Sequence, residues 1–346
     1  MEPHSVRRNV TASELVKLAV RILLDAGTNL VDAKAVAGSL VESNLTGHDS
    51  HGVRRLVDYV ARIRDGRIDP RARPDVDHPR PGTVVVRANR ALGRVAAGVA
   101  ARELRALTRT HGSGVAVIQD CNHVGRLGEY VGFLAEHDLV ALAFGNADPT
   151  VAPYGGRARR LGTNPLAWAA PRAADRPPIV VDWATSGVAE GKLAVARARG
   201  ERVPEGLVVD ADGRPTTDPG DFYAGGALLP FGGHKGYGLS VLIEVVGGLL
   251  TGMGVSSLPG YRGGFGTVLV AVDIGALTPV ERFREQAELF CRELARTPTA
   301  EGSREVLVPG EPEARTRRAR LRDGIPMDER TWRELHALLG DEEATT

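Results

Sequence analysis

The 346-residue sequence contains only two cysteines, Cys121 and Cys291. So few exclude a disulfide framework, and the chain reads as a cytoplasmic protein kept in a reducing compartment. Aromatic residues are scarce at 5%, and neither sign of charge prevails, since 44 Lys and Arg oppose 43 Asp and Glu. Without a concentrated basic field, no nucleic-acid or anionic-membrane partner is expected. Long hydrophobic runs are absent as well. The N-terminal "MEPHSVRRNV" lacks the apolar stretch of a signal peptide, and the most apolar segment, Leu239 to Leu250, is interrupted by Glu244, Gly247 and Gly248 and is too short to span a bilayer. Three motifs are missing too: G-x-G-x-x-G, H-E-x-x-H and G-x-S-x-G. An ordinary Rossmann dinucleotide site, a zinc-protease helix and a hydrolase nucleophile elbow are therefore unsupported.

What is present is enough apolar residue, 42% of the chain, to bury a sizeable core in two domains or one large unit. Thr11 with Glu14 forms a capping box, and Leu15, Leu18, Ala19 and Ile22 follow at helical spacing until Gly27. A second helix is predicted over Ala33 to Leu45, and a third opens at Gly52, with Val53, Leu56, Val57, Val60 and Ile63 as its apolar stripe. "PDVDHPRPG" reads as a proline-rich connection. Beyond it, "TVVVRA", "GVAVIQD", "LVALAFGN", "PPIVVDWA", "GLVVDADG" and "GTVLVAVDI" are β-rich runs between helical stretches. Helical patterning returns in "PVERFREQAELFCRELAR" and from Glu311 to Leu339. The expected fold is mixed α/β (α+β): a helical part from residues 1–75 and 295–346, around an inserted sheet domain of residues 76–294.

Chemistry concentrates at four places. "TGHDSHGVRR" holds Ser50 and His51 at the start of the third helix, and His51, Arg55 and Tyr59 recur at i, i+4, i+8 on one face. A histidine at a helix N-terminus is biased toward its neutral form and can accept a proton, while Arg55 offers a planar fork for a carboxylate. The same residues could equally cap helices at a solvated corner. His123 follows a strand-like run in "CNHVGRLGEYV", and "VVDWATSG" ends a strand in Asp182 before Thr185, Ser186 and Gly187, a junction that suits phosphate or simple helix capping. In "LLPFGGHKGYG", glycines surround His234 and Lys235, permitting close backbone approach and supplying a cation. His48, Asp49 and His51 lack a further placed ligand, so no metal is expected.

Taken in order, "GHDSHGVRRLVDYV", "NHVGRLGEY", "PYGGRARRLGTNPLAWAAP", "VVDWATS", "GERVPEGLVVDADGRPTTDP", "LLPFGGHKGYGLSVLIEVVGGLLTG" and "LVPGEPE" resemble the type-2 malate/L-lactate dehydrogenase family. That family also includes ureidoglycolate and sulfolactate dehydrogenases, diketogulonate reductases and cyclic ketimine reductases. The resemblance implies a homodimeric NAD- or NADP-dependent oxidoreductase with a non-Rossmann fold, acting on a small carboxylate. It places Ser50, His51 and Arg55 along the substrate pocket and His123 at the reacting carbon. It assigns Asp182, Thr185, Ser186, His234, Lys235, Gly310 and Glu311 to the dinucleotide or to support of the site. The expected reaction interconverts a 2-hydroxy acid and its 2-oxo acid, with Arg55 clamping the carboxylate and Tyr59 beside it. His51 carries the proton, oriented through Ser50 or Asp182, and His123 polarises the substrate. Reduction of a cyclic ketimine is the alternative within the same fold, and a silent metabolite-binding module the alternative outside enzymology.

Overall fold

The computed structural model describes residues 7–259, 261 and 263–340. Its first helix, Ala12–Asp25, begins with the anticipated capping box: Glu14 N donates to Thr11 Oγ1 at 3.2 Å and Thr11 N to Glu14 Oε2 at 3.0 Å. The second helix, Leu30–Leu45, starts before Ala33 because Asn29 caps it, accepting from Asp32 N at 3.0 Å. The third, Arg55–Arg64, starts later than Gly52, for Asp49–His51 forms a separate 3-10 turn. One core joins the inner faces of these helices to the other end of the chain: Leu15, Leu40, Leu56 and Tyr59 pack with Ile325, Met327 and Leu335. Strand Arg7–Val10 pairs antiparallel with Ile325–Asp328, and helix Glu311–Asp323 lies on Leu30–Leu45.

The main sheet has seven strands in the order Asp75–Arg80, Thr83–Arg87, Ser113–Gln119, Thr267–Asp273, Leu139–Gly145, Leu166–Ala170 and Ile179–Trp183. Its only parallel pair among the described residues is Thr83–Arg87 with Ser113–Gln119, bridged by helix Gly93–His111. A mostly antiparallel sheet cannot present the βαβ crevice of a Rossmann domain, in line with the missing glycine fingerprint. "PDVDHPRPG" is corrected from connection to edge strand: Asp75–Arg80 is exposed throughout, and its register slips between Asp77 and Arg80, where Pro79 is tolerated. Helices Gly93–His111 and Leu127–Ala135 cover the sheet, burying Ala97, Leu104, Val131 and Leu134 against Val84, Ile118, Ala141 and Leu269. Alternation buries every second residue of Ser113–Gln119 and Leu139–Gly145.

A smaller core of Val151, Leu161, Leu193, Val208, Phe222 and Leu228 forms around the short strands Val208–Val209, Pro215–Thr216 and Ala227–Leu228. Helix His234–Ile243 leads from it into a π-helical segment, Glu244–Leu249, whose buried Glu244 carboxylate accepts from Gly162 N, Asn164 Nδ2 and Ser256 Oγ. Among the described residues no helix is long and apolar enough to cross a membrane.

Candidate active site

The turn of Ser50 and His51 is held from behind. Asn44 at the end of the second helix accepts from Val53 N at 2.9 Å and donates to Asp49 Oδ1 at 2.7 Å, and Arg320 grips the Asp49 carboxylate with both terminal nitrogens at 2.6 and 3.0 Å. Gly52 is needed at the next position, since a Cβ there would sit 2.2 Å from Asn44 Oδ1. Ser50 Oγ lies 3.0 Å from His51 Nδ1, and Arg55 Nε donates to Ser50 O at 2.9 Å. The terminal nitrogens of Arg55 have no partner among the described residues.

His123 arrives from the loop after strand Ser113–Gln119, passing over the start of helix Gly93–His111 so closely that a Cβ on Gly93 would meet His123 O at 2.6 Å. Its ring stacks on His51 with centroids 5.4 Å apart and 26° between planes, and Phe265 closes the far edge at 5.3 Å. His123 Nδ1 meets Tyr59 Oη at 2.9 Å, and Tyr59 Oη accepts from Arg94 Nε at 3.3 Å. Tyr59 is 2% exposed, and its hydroxyl stands between His123 Nδ1 and Arg94 Nε. Arg94 also donates to His51 O at 2.6 Å and to Ser39 Oγ, and it pairs with Glu129 at 3.5 Å.

Both histidines are held neutral. Burial, then the charges of Arg55 and Arg94, push His51 down to about 3. His123 lies well below its usual value through burial, Arg55 and His51. His48, 3.8 Å from Glu313, is pushed down to about 4 by burial, Arg126 and Lys192.

Among the described residues Asp182 makes no hydrogen bond to His51. Its Oδ2 accepts from Gly128 N at 2.8 Å, fixing the helix that follows His123, and burial raises its carboxyl despite that bond. Thr185 and Ser186 are likewise turned inward: Thr185 Oγ1 donates to Thr163 O and Asn164 O, and Ser186 Oγ to Val188 O. The amides of Thr185 and Gly187 are taken by Thr163 O and Leu229 O, which closes the expected amide cradle at those positions. Gly310 and Glu311 sit at the sheet edge, with Glu311 accepting from Arg172 at 3.2 Å and from Val308 N at 3.2 Å.

A cleft of about 540 Å³ opens beside this junction, lined by Tyr154, Gly155, Gly156, Gly187, Leu207 and the turn Leu229 to Gly233. Gly232 and Gly233 have φ of 56° and 62°, conformations that expose backbone without a side chain in the way. His234 meets Tyr154 edge-on at 6.2 Å, and Lys235 is exposed at the start of helix His234–Ile243. The histidine pair is not part of the cleft wall. The segment after Gly187 connects the two, for Gly191 packs so near Ser50 that a Cβ would lie 3.0 Å from Ser50 Cβ.

Arg94, Ser39, Glu129 and Arg126 belong to this site and were not singled out from the sequence. Arg126 and Glu129 fall inside "NHVGRLGEY", so that block carried the signal; Arg94, in an alanine-rich helix, had none.

A malate/L-lactate dehydrogenase family profile matches residues 10–336. The chain is 32% identical to the malate/(S)-sulfolactate dehydrogenase of Methanothermus fervidus, over 94% of this chain and 96% of that one. It is 36% identical to the Delta(1)-pyrroline-2-carboxylate/Delta(1)-piperideine-2-carboxylate reductase of Pseudomonas putida, over 96% and 97%. The solved malate dehydrogenase of Pyrococcus horikoshii superposes with a TM-score of 0.88 at 30% identity, covering 96% of this chain and 95% of that one. The chain belongs to the malate/L-lactate dehydrogenase family.

Proposed function

We propose that the chain interconverts a small 2-hydroxy acid and its 2-oxo acid by nicotinamide-dependent hydride transfer. The stacked His51 and His123 pair carries this reading: each ring has Nδ1 engaged, leaving both Nε2 atoms for one substrate oxygen. Arg94 can only donate to Tyr59 Oη, so the Tyr59 proton is free to point at His123 Nδ1. That arrangement favours the His123 tautomer with hydrogen on Nε2, a neutral donor that polarises a carbonyl or steadies an alkoxide. Ser50 can donate to or accept from His51 Nδ1, so His51 can change protonation state while keeping its bond. His51 is thus the proton carrier. Being neutral in the free site, it is ready to take the hydroxyl proton in the oxidative direction.

The terminal nitrogens of Arg55 hold the C1 carboxylate bidentately, and the arriving anion offsets the positive charges that depress His51. The glycine-lined cleft fits a dinucleotide: Gly155, Gly232 and Gly233 present bare backbone, Tyr154 and Phe231 offer rings, and exposed Lys235 follows two residues after Gly233 as a cation. A nicotinamide dinucleotide held there supplies or accepts the hydride. Reduction of a cyclic imine carboxylate is the second reading, favoured by the 36% identity to the Pseudomonas putida reductase. The exposed apolar run Leu242, Val245, Leu249, Leu250 and Leu258 supports a homodimer, and the two unpaired, buried cysteines accord with a reducing cytoplasm.

Assaying 2-oxo acids and cyclic imine carboxylates with NADH and with NADPH tests the reading. Turnover of a 2-oxo acid is the expected result; turnover of imines alone would replace the first reading with the second, and none at all would remove both.

A further inference from the structure

Every nitrogen of the Arg94 guanidinium is engaged, although its side chain is only 2% exposed. Nε donates to Tyr59 Oη at 3.3 Å and one terminal nitrogen to His51 O at 2.6 Å. The other donates to Ser39 Oγ and lies 3.5 Å from Glu129 Oε2. Ser39 in turn donates to Glu129 Oε2 at 2.6 Å, so its hydroxyl proton is spent on the carboxylate and its lone pairs face the arginine. Those four partners come from four pieces of chain: helix Leu30–Leu45, the turn Asp49–His51, helix Arg55–Arg64 and helix Leu127–Ala135. Two of them lead to the histidine pair: His51 through its own carbonyl, and His123 through the phenol 2.9 Å from its Nδ1.

The loop that carries His123 wraps around the same group. A Cβ on Gly125 would lie 2.5 Å from Arg94 Cζ, and one on Gly93, the residue before Arg94, would lie 2.6 Å from His123 O. Packing alone does not call for an arginine here, because a buried guanidinium and its carboxylate give up hydration that an apolar side chain of similar volume never had. What the arginine adds is a rigid plane whose donors keep fixed separations and directions. The two histidine rings meet face to face with 5.4 Å between centroids, a weak contact that leaves their offset soft.

We propose that Arg94 is the positioning residue of the reaction: a single guanidinium sets the register of His51 and His123 on one substrate oxygen. The inference rests on the histidine-pair reading above. Arg94 acts through the His51 backbone and the Tyr59 hydroxyl, not on substrate or cofactor.

Two variants test this. Arg94→Met removes every donor, and Arg94→Lys keeps the charge beside Glu129 but offers one ammonium to acceptors that the guanidinium holds with three nitrogens. On the 2-oxo acid or cyclic imine that the wild type reduces, both should lose about 10- to 100-fold in kcat, the scale of a small misplacement of catalytic groups. KM and the NADH or NADPH dissociation constant should change by less than about threefold. The loss in Arg94→Lys should persist well below its Tm, where a residue needed only for folding would leave the rate normal. Combined with Tyr59→Phe, Arg94→Lys should cost less than the product of the two separate losses, because part of both passes through the same phenol. A kcat within about twofold of wild type in folded Arg94→Lys, or a strictly multiplicative double variant, would overturn the proposal. Imidazole nitrogen NMR of the isotope-labelled chain reads the same geometry without turnover. Wild-type His123 should carry its hydrogen on Nε2, and Arg94→Lys should show both tautomers; an unchanged His123 spectrum would also overturn the proposal. If the wild type turns over neither class of substrate, the hydride-transfer reading fails, and these spectra decide the role of Arg94 by themselves.

Discussion

The Tyr59 hydroxyl lies 2.9 Å from His123 Nδ1 and accepts from Arg94 on its other side, so a fully buried phenol fixes which nitrogen of a site histidine faces outward. Tyr59→Phe should lower kcat by about 10- to 100-fold with little change in KM, because binding contacts remain while the tautomer is released. It should also cost about 1–3 kcal/mol of stability by orphaning Arg94 Nε and His123 Nδ1. A kcat equal to wild type would remove Tyr59 from the positioning role.

Arg55→Ala is expected to reduce kcat/KM by an amount worth about 2–4 kcal/mol, and Arg55→Lys to recover only part, since an ammonium cannot reproduce the fork. Steady-state kinetics on both variants check this. Near-normal values in both would exclude the carboxylate clamp.

Stability should depend on acid through the buried histidines. His51 is pushed down to about 3, His48 to about 4 and His123 well below its usual value, while in the unfolded chain each ionises near about 6.5. Below that value the unfolded chain binds protons that the folded chain refuses, so stability is intact above it and falls as the pH drops toward 4. Calorimetric Tm should decline by about 5 °C or more between pH 7 and 5. His51→Gln should flatten the slope, and a Tm constant over that range in the wild type would contradict neutral, buried histidines.

Lys235→Met should weaken NADH or NADPH binding by about 1.5–3 kcal/mol, the range for a charge-assisted hydrogen bond, without altering Tm. Fluorescence titration reads this directly. An unchanged dissociation constant would reduce the "GGHKGYG" turn to a packing device.

Exhaustive chelation should leave turnover intact. Among the described residues no three His, Cys, Asp or Glu side chains converge as ligands, and His48 pairs with Glu313 at 3.8 Å. Activity lost on chelation and restored by a divalent ion would overturn the hydride mechanism as drawn.

Local signals were the legible ones. The Thr11–Glu14 capping box, the burial alternation of Leu139–Gly145 and the cluster around His51 depend on near neighbours, and each can be read along the chain. Strand Asp75–Arg80 was not legible, because an edge strand exposed on every residue carries no alternation. Arg94 was hidden for a different reason: its partners Tyr59 and Ser39 lie 35 and 55 positions away, and nothing within its own helix marks it. Thr185 and Ser186 look like ligand-binding residues in sequence, and only the fold reveals that their hydroxyls are spent on backbone carbonyls.

The grip of Arg320 on Asp49 joins residues 271 positions apart, and it crosses from the helix Glu311–Asp323 to the turn that presents Ser50 and His51. During synthesis, the last strand of the sheet to be made, Thr267–Asp273, and the covering helices all precede Arg320. The proton-carrying turn therefore acquires its lock among the last events of biogenesis, and a chain stalled before that point has most of its core without a set catalytic corner.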